Sequence, residues 1–346
     1  MVNIAILGAT GYGGVELVRL LQAHPHVRLA YLSSETYAGQ RMCDVYPHLA
    51  TVETVLQPLD AGLVAASCDV ALMALPAGAS TAAATVLLEA GVRIVDVSPD
   101  FRLRDASLYA EWYGFQHSAP HLLSQAVFGL PELHREHIRR AALVAAPGCY
   151  TTAALLALAP LAAEGLIDAG DIVIDGKSGI SGAGRTSLAL AYHYPEADED
   201  LSAYSVGGHR HVPEMVQELE PLARGPVRIA FVPHLVPMAR GILMTMYVRA
   251  AGGADAAALR SCLERRYAQE RFVSVLPQGR WPHTKWTAGT NRCYLAVGED
   301  RLSGRLVVAA AIDNLGKGMS GQMVQCLNIM LGHEEDTALS LHAAYP

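Results

Sequence analysis

Residues 2–23 read VNIAILGATGYGGVELVRLLQA. Val2 to Leu7 is a short apolar run and predicts a buried strand. Val15 to Ala23 has helical spacing and stops before Pro25, so the stretch reads strand, turn, helix. The turn itself, Gly8-Ala9-Thr10-Gly11-Tyr12-Gly13-Gly14, is the informative part. Glycines there let the backbone bend tightly and approach a pyrophosphate, while the helix N-terminus offers N–H groups and partial positive charge. Gly8, Thr10, Gly11, Tyr12, Gly13 and Gly14 are therefore candidate dinucleotide contacts; packing alone also produces such turns.

Outward from this start the alternation continues. Val27 to Leu32 and Asp69 to Leu75 read as strands, Gly78 to Glu89 as helix, and Val92 to Val97 and Leu143 to Ala146 as strands. That rhythm predicts an α/β fold, a Rossmann-type doubly wound parallel sheet. After the second strand, Ser34 suits a coenzyme 2′-phosphate and Glu35 a free 2′-hydroxyl, which leaves NADP and NAD both open there. From about Gly148 the texture changes. A long helix (Thr151 to Glu164) precedes longer strands near 171–175, 227–232, 242–249, 292–297 and 306–311. These predict an α+β domain with a mixed or antiparallel sheet, crossed by a helix from Ala254 to Gln269. The expected division is 1–148 for dinucleotide binding and 149–315 for catalysis and oligomerisation, with the helical segment 316–346 returning to the first domain.

At 346 residues, with 51% hydrophobic and 17% charged residues, the chain can bury two real cores and is neither disordered nor fibrous. A net charge of -7 argues against a general nucleic-acid binder, though a local cationic pocket for an anionic substrate is compatible with it. No apolar run reaches the ~18 residues of a membrane span. The six cysteines (43, 68, 149, 262, 293 and 326) show no metal-like spacing, and no metal is expected. Disulfide frameworks belong to short secreted chains, so reduced thiols and a cytoplasmic location are expected.

One cysteine stands apart. Ala146-Pro147-Gly148-Cys149-Tyr150-Thr151-Thr152 lies where a strand ends and a long helix begins. Local N–H groups and the helix dipole favour the thiolate at such a place, and can also hold an oxyanion. His209 and His211, in Gly208-His209-Arg210-His211-Val212-Pro213-Glu214, are candidate acid–base groups. Read as a strand, that segment would turn both rings to one face. Glu214 is placed either to orient a ring or simply in the first turn of a helix.

The segments GATGYGGVEL, DVSPDFR, FGLPEL, APGCYTT, GKSGISGAGR, GGHRHVPE, PHLVPMARGI and AIDNLGKGMSGQMVQ follow one another from residue 2 to about 332. Together they resemble the N-acetyl-γ-glutamyl-phosphate reductase family, related to aspartate-semialdehyde dehydrogenase. The resemblance implies NADPH-dependent reduction of an acyl phosphate to an aldehyde through a Cys149 thioester, in arginine biosynthesis, with NAD the less favoured coenzyme. One of His209 and His211 then serves as acid–base. Arg102, Arg185 and Arg210, with Glu214, become substrate contacts, and Arg240 a further cationic anchor. Ser178, Gly179 and Gly182 form a second Gly/Ser loop which, with Asn314, is implied near substrate and nicotinamide. His234 is a family residue that also suits a packed core position, and Gln322 and Gln325 read as helix-surface residues. A homodimer or homotetramer is implied. The nearest rival is a carrier-linked acyl-phosphate reductase, for which the three lysines supply no evident basic rim; a non-redox cysteine acyltransferase would leave the glycine turn without a role.

Overall fold

In the computed structural model, which describes residues 1–344 apart from Thr186 and Leu188, Val2–Leu7 (β1) is a buried parallel strand. It is flanked by Val27–Ser33 (β2) and Val70–Met73 (β4), with Ile4 facing both Leu29 and Val70. Leu56–Gln57 (β3), Arg93–Asp96 (β5), Ala126–Phe128 (β6) and Leu143–Ala145 (β7) complete the order β3-β2-β1-β4-β5-β7-β6. Every pairing in this sheet is parallel. A parallel sheet is covered on both faces, which explains why β4 is buried along its whole length.

The chain divides into two units. The first comprises Met1–Pro147 and Met319–Leu339, and the second Gly148–Gly318 with the stretch from Ser340. In the first, Leu7, Tyr31, Met73, Leu87, Phe101 and Tyr109 belong to one apolar cluster. Helix Gly321–Leu331 packs against helices Tyr12–Leu21 and Pro131–Arg140 and is buried on all sides, from Gly321 to Met330. This corrects the reading of Gln322 and Gln325 as surface residues: they are 1% and 0% exposed. Their amides survive burial because they are hydrogen-bonded, Gln322 Nε2 to the Gly129 carbonyl and Gln325 Nε2 to Glu132 and Glu335.

The second unit is built on Ile167–Gly179 (β8), Ser202–Ala203 (β9), Ile229–Val236 (β10), Ile242–Ala250 (β11), Val273–Val275 (β12), Cys293–Glu299 (β13) and Leu306–Ile312 (β14). Their order is β12-β13-β14-β11-β8-β10-β9, with β8–β10 and β12–β13 parallel and the rest antiparallel. This is the mixed sheet expected. Helix Cys149–Ala163 lies on it and on helices Val212–Leu219 and Ala256–Tyr267. Ala and Leu favour that helix and bury almost all of it. Pro160 lacks an N–H and so leaves the Leu156 carbonyl without its ladder partner; the Tyr267 hydroxyl donates to it at 2.6 Å.

Candidate active site

On the first unit, helix Tyr12–Leu21 begins at Gly11 with no side-chain cap and no acid in its first turn. Gly8 has φ +85°, and a Cβ there would lie 2.5 Å from the Ala74 carbonyl oxygen. A Cβ on Gly14 would overlap the Gly8 carbonyl, and one on Gly13 the Met319 side chain. The turn is thus an uncapped anion cradle with no room for a side chain at Gly8, Gly13 or Gly14, which fits a pyrophosphate. Tyr12 is exposed. Thr10 and Ser34 hydroxyls meet at 2.8 Å, and the Tyr46 hydroxyl donates to the Thr10 carbonyl at 2.7 Å. The Glu35 carboxylate accepts the Leu59 N–H at 2.8 Å.

A neighbouring helix start is closed instead. Asp100 accepts the N–H groups of Gly78, Ser80 and Thr81 at 2.7, 2.9 and 3.2 Å, and so occupies the N-terminus of helix Ser80–Glu89. Beside it Asp96 is fully buried, and burial above all, with help from the Asp100 charge, lifts it to about 7. Ser80 and Ser98 donate to its two oxygens. Arg102 is 8% exposed and donates through Nε to the Ala146 carbonyl at 3.0 Å and through a terminal nitrogen to Val97. It ties the chain beyond β5 to the chain beyond β7.

On the second unit, Gly148 is the extended N-cap (φ -62°, ψ 150°) of helix Cys149–Ala163, and half-exposed Cys149 is its first residue. The Gly148 N–H donates to Glu214 Oε2 at 2.8 Å, and Glu214 is fully buried. Both histidines lie outside any strand. Pro213 starts a helix, Val212–Leu219, with His211 as its cap at φ -84°, ψ -11°, and Gly207 at φ +76° turns the chain just before. The turn still brings the rings together, with centroids 4.7 Å apart.

Their surroundings differ. A Cβ on Gly148 would run into the His211 ring, Nε2 first, so that nitrogen borders the residue preceding Cys149. His209 sits behind it, edge-on to Phe231, Tyr150 and Tyr204 at 5.1, 5.6 and 5.7 Å. Its Nδ1 accepts the His211 N–H at 3.1 Å, which puts the proton of the neutral ring on Nε2. Burial, then the Arg210 charge, depresses His209 to about 4. Burial likewise pushes the Tyr204 hydroxyl up to about 12. Arg210 and Arg185 are exposed.

Gly318 walls Cys149, and the turn that carries it is joined to two further backbone segments. A Cβ on Gly318 would lie 2.8 Å from the Cys149 Cβ. The Ser178–Gly182 loop is hydrogen-bonded to the β10–β11 connection, Gly179 N to Gly241 O at 2.9 Å and Ile180 N to Met238 O at 3.0 Å. Ser178 is buried and donates to the Gly179 carbonyl at 3.0 Å; a Cβ on Gly182 would lie 3.1 Å from its Oγ. Asn314 links all three, its Oδ1 accepting Gly241 N–H at 2.7 Å and its Nδ2 donating to Ser181 Oγ at 2.9 Å. The sequence reading missed Asp313, which is fully buried and holds Arg240 at 2.9 Å. The N–H groups of Leu315 and Gly316, two and three residues on, also donate to its carboxylate. His234 is mostly buried beside Asp175, 3.1 Å away, which also pairs with Lys177 at 2.8 Å. Among the described residues there is no cluster of metal-ligating side chains and no helix long and apolar enough to cross a membrane.

A family model described as the NAD binding domain of semialdehyde dehydrogenase matches residues 3–141, and its dimerisation domain matches residues 149–314. Curated relatives named N-acetyl-gamma-glutamyl-phosphate reductase include that of Desulforudis audaxviator, 50% identical over 100% of both chains. Another, from Moorella thermoacetica, is 47% identical over 100% of both. Solved structures with the same fold include aspartate semialdehyde dehydrogenase II from Vibrio cholerae, with TM-score 0.74, 19% identity, and 96% and 99% of the two chains covered. The aspartate semialdehyde dehydrogenase with NADP from Candida albicans gives TM-score 0.68 at 17% identity, covering 96% and 98%. By its full-length identity to these reductases, the chain belongs to the N-acetyl-γ-glutamyl-phosphate reductase family.

Proposed function

We propose that the chain reduces N-acetyl-γ-glutamyl phosphate to N-acetylglutamate 5-semialdehyde, with release of phosphate, as a step of arginine biosynthesis. The observation that carries this reading is the Cys149 thiol at a helix start, with the His211 ring against the preceding glycine. His211 takes the thiol proton, and the thiolate attacks the γ-acyl carbon. The carbon–oxygen bond to phosphate breaks, phosphate leaves with the electron pair, and an enzyme thioester remains. The coenzyme, when bound, supplies the hydride that reduces this acyl group. Collapse of the reduced adduct breaks the carbon–sulfur bond, frees the aldehyde and returns Cys149 as thiolate for reprotonation. The leading N–H groups of the Cys149 helix are the donors for the oxyanion in both halves.

NADPH is the proposed coenzyme, with Gly8, Gly11, Gly13 and Gly14 around its pyrophosphate. Glu35 is held by Leu59 N–H and the Ser34 hydroxyl by Thr10, and of the two Ser34 is the one proposed beside a 2′-phosphate because it carries no charge. Arg210 and Arg185 are proposed for the substrate's phosphate and carboxylate, because a guanidinium binds such groups through two parallel N–H donors. Arg102 is a further anion anchor proposed on the first unit. The second unit is the proposed seat of homo-oligomerisation, and a reducing cytoplasm keeps the thiol usable.

The reaction run backwards tests the proposal. N-acetylglutamate semialdehyde, phosphate and NADP should together generate reduced-nicotinamide absorbance. Absence of a phosphate-dependent signal with either coenzyme would sink it. In pH profiles His211→Asn should lose the acid–base limb, whereas His209→Asn should keep it.

A further inference from the structure

The Asp313 carboxylate is fully buried, and nothing in the proposed chemistry uses it. Burying an unpaired carboxylate is costly, so its partners define its purpose. Arg240 Nε reaches both of its oxygens, at 2.9 and 3.2 Å. The N–H groups of Leu315 and Gly316 donate to Oδ1 at 2.9 and 3.2 Å, and Gly289 N–H donates to Oδ2. Its own carbonyl accepts the Gly318 N–H at 2.9 Å. Gly318 is the residue pressed on the Cys149 Cβ. The Arg240 backbone is closely packed on its other side, since a Cβ on Gly179 would lie 2.9 Å from its nitrogen. One ion pair therefore fastens the turn that walls Cys149 to the connection carrying the Ser178–Gly182 loop.

We propose that the Asp313–Arg240 pair is a positioning device for the nucleophile, holding the Gly318 wall against Cys149 by fixing its turn to the β10–β11 connection and, through that, to the Ser178–Gly182 loop. Neither residue needs to touch substrate. The proposal rests on Cys149 being the nucleophile, and two readouts separate it from that reading. The first is the rate of Cys149 alkylation by iodoacetamide as a function of pH, in the full-length protein. The second is steady-state turnover in the phosphate-dependent direction.

Arg240→Met should lower kcat about 10²-fold, the usual effect of a misplacement near 1 Å, while the coenzyme KM stays unchanged. Its alkylation profile should move away from that of the native protein. Arg240→Lys, which keeps the charge and loses the two-oxygen contact, should fall between the two. Asp313→Asn should resemble Arg240→Met, and the double variant should be no worse than the poorer single one, because both break one unit. Should Asp313→Asn fail to fold, the two Arg240 variants still decide the question. A lowered melting temperature with unchanged kcat and alkylation would reduce the pair to a stabilising contact and overturn the proposal. A raised substrate KM at native kcat would do the same by making Arg240 a substrate anchor. Native protein that shows no turnover but loses its alkylation profile in the variants would overturn the substrate reading and leave the positioning intact.

Discussion

Two helices of this chain start almost identically. Tyr12–Leu21 and Cys149–Ala163 each follow a parallel strand through an extended glycine cap, at φ/ψ of -73°/165° and -62°/150°. The first start faces no acid, whereas at the second the Gly148 N–H already serves the Glu214 carboxylate. The first can meet the full charge of a ligand that brings its own phosphates. At the second, one leading N–H is already taken by a side chain, so fewer donors are left for an incoming group there. A third start, Ser80–Glu89, shows the other extreme, with Asp100 permanently in the place a phosphate would take.

The comparison can be broken at each end. Cys149→Ser should have the largest effect, a loss of at least about 10³-fold in turnover with coenzyme binding retained, since a serine hydroxyl at this site has a far higher pKa. Ordinary turnover in that variant would remove the thioester. Gly14→Ala should weaken coenzyme binding by about tenfold or more, the scale of a lost helix-terminus contact, and fluorescence titration of NADPH would read it. Glu214→Gln should make the second start resemble the first. Without the carboxylate, the alkylation profile of Cys149 should move to lower pH by about one unit; no movement would mean that Glu214 does not set the field at the thiol.

The smallest effects concern pH. His209 is depressed from 6.5 to about 4, so its contribution to stability is whole above about pH 6.5 and is lost as the pH falls towards 4, at most about 3 kcal/mol. Asp96 is raised from 3.8 to about 7, so its contribution is whole in acid and is lost as the pH rises through 7. The two units should therefore respond to acid in opposite senses. Calorimetry between pH 4 and 7 should show Asp96→Asn flattening one trend and His209→Gln the other. Parallel responses of the two variants would contradict these assignments.

Much of the fold was legible because strands β1, β2, β4, β5 and β7 are apolar runs set between helical patterns. β3 was not, being two residues long and too short to express any period, and three-residue β6 sits between Gln125 and Gly129 without the longer apolar run that surrounds β7. The histidine segment was misread as extended, since alternation over three residues is also what a turn into a proline-led helix produces. Gln322 and Gln325 were misread because polarity normally marks a surface; here each amide finds a partner that only the tertiary packing supplies. The place of Cys149 at a helix start was legible from local context alone. Asp313 was not, because its partners Arg240 and Gly289 are distant in sequence and no spacing rule connects them.

The proline in the Cys149 helix has a consequence for how the second unit is made. The gap it leaves at Leu156 is closed by Tyr267, 111 residues later in the chain. A nascent chain still lacking residues beyond about 260 carries the Cys149 helix with its Leu156 carbonyl left to water. The middle of this helix thus acquires its last hydrogen bond only when the late helix docks.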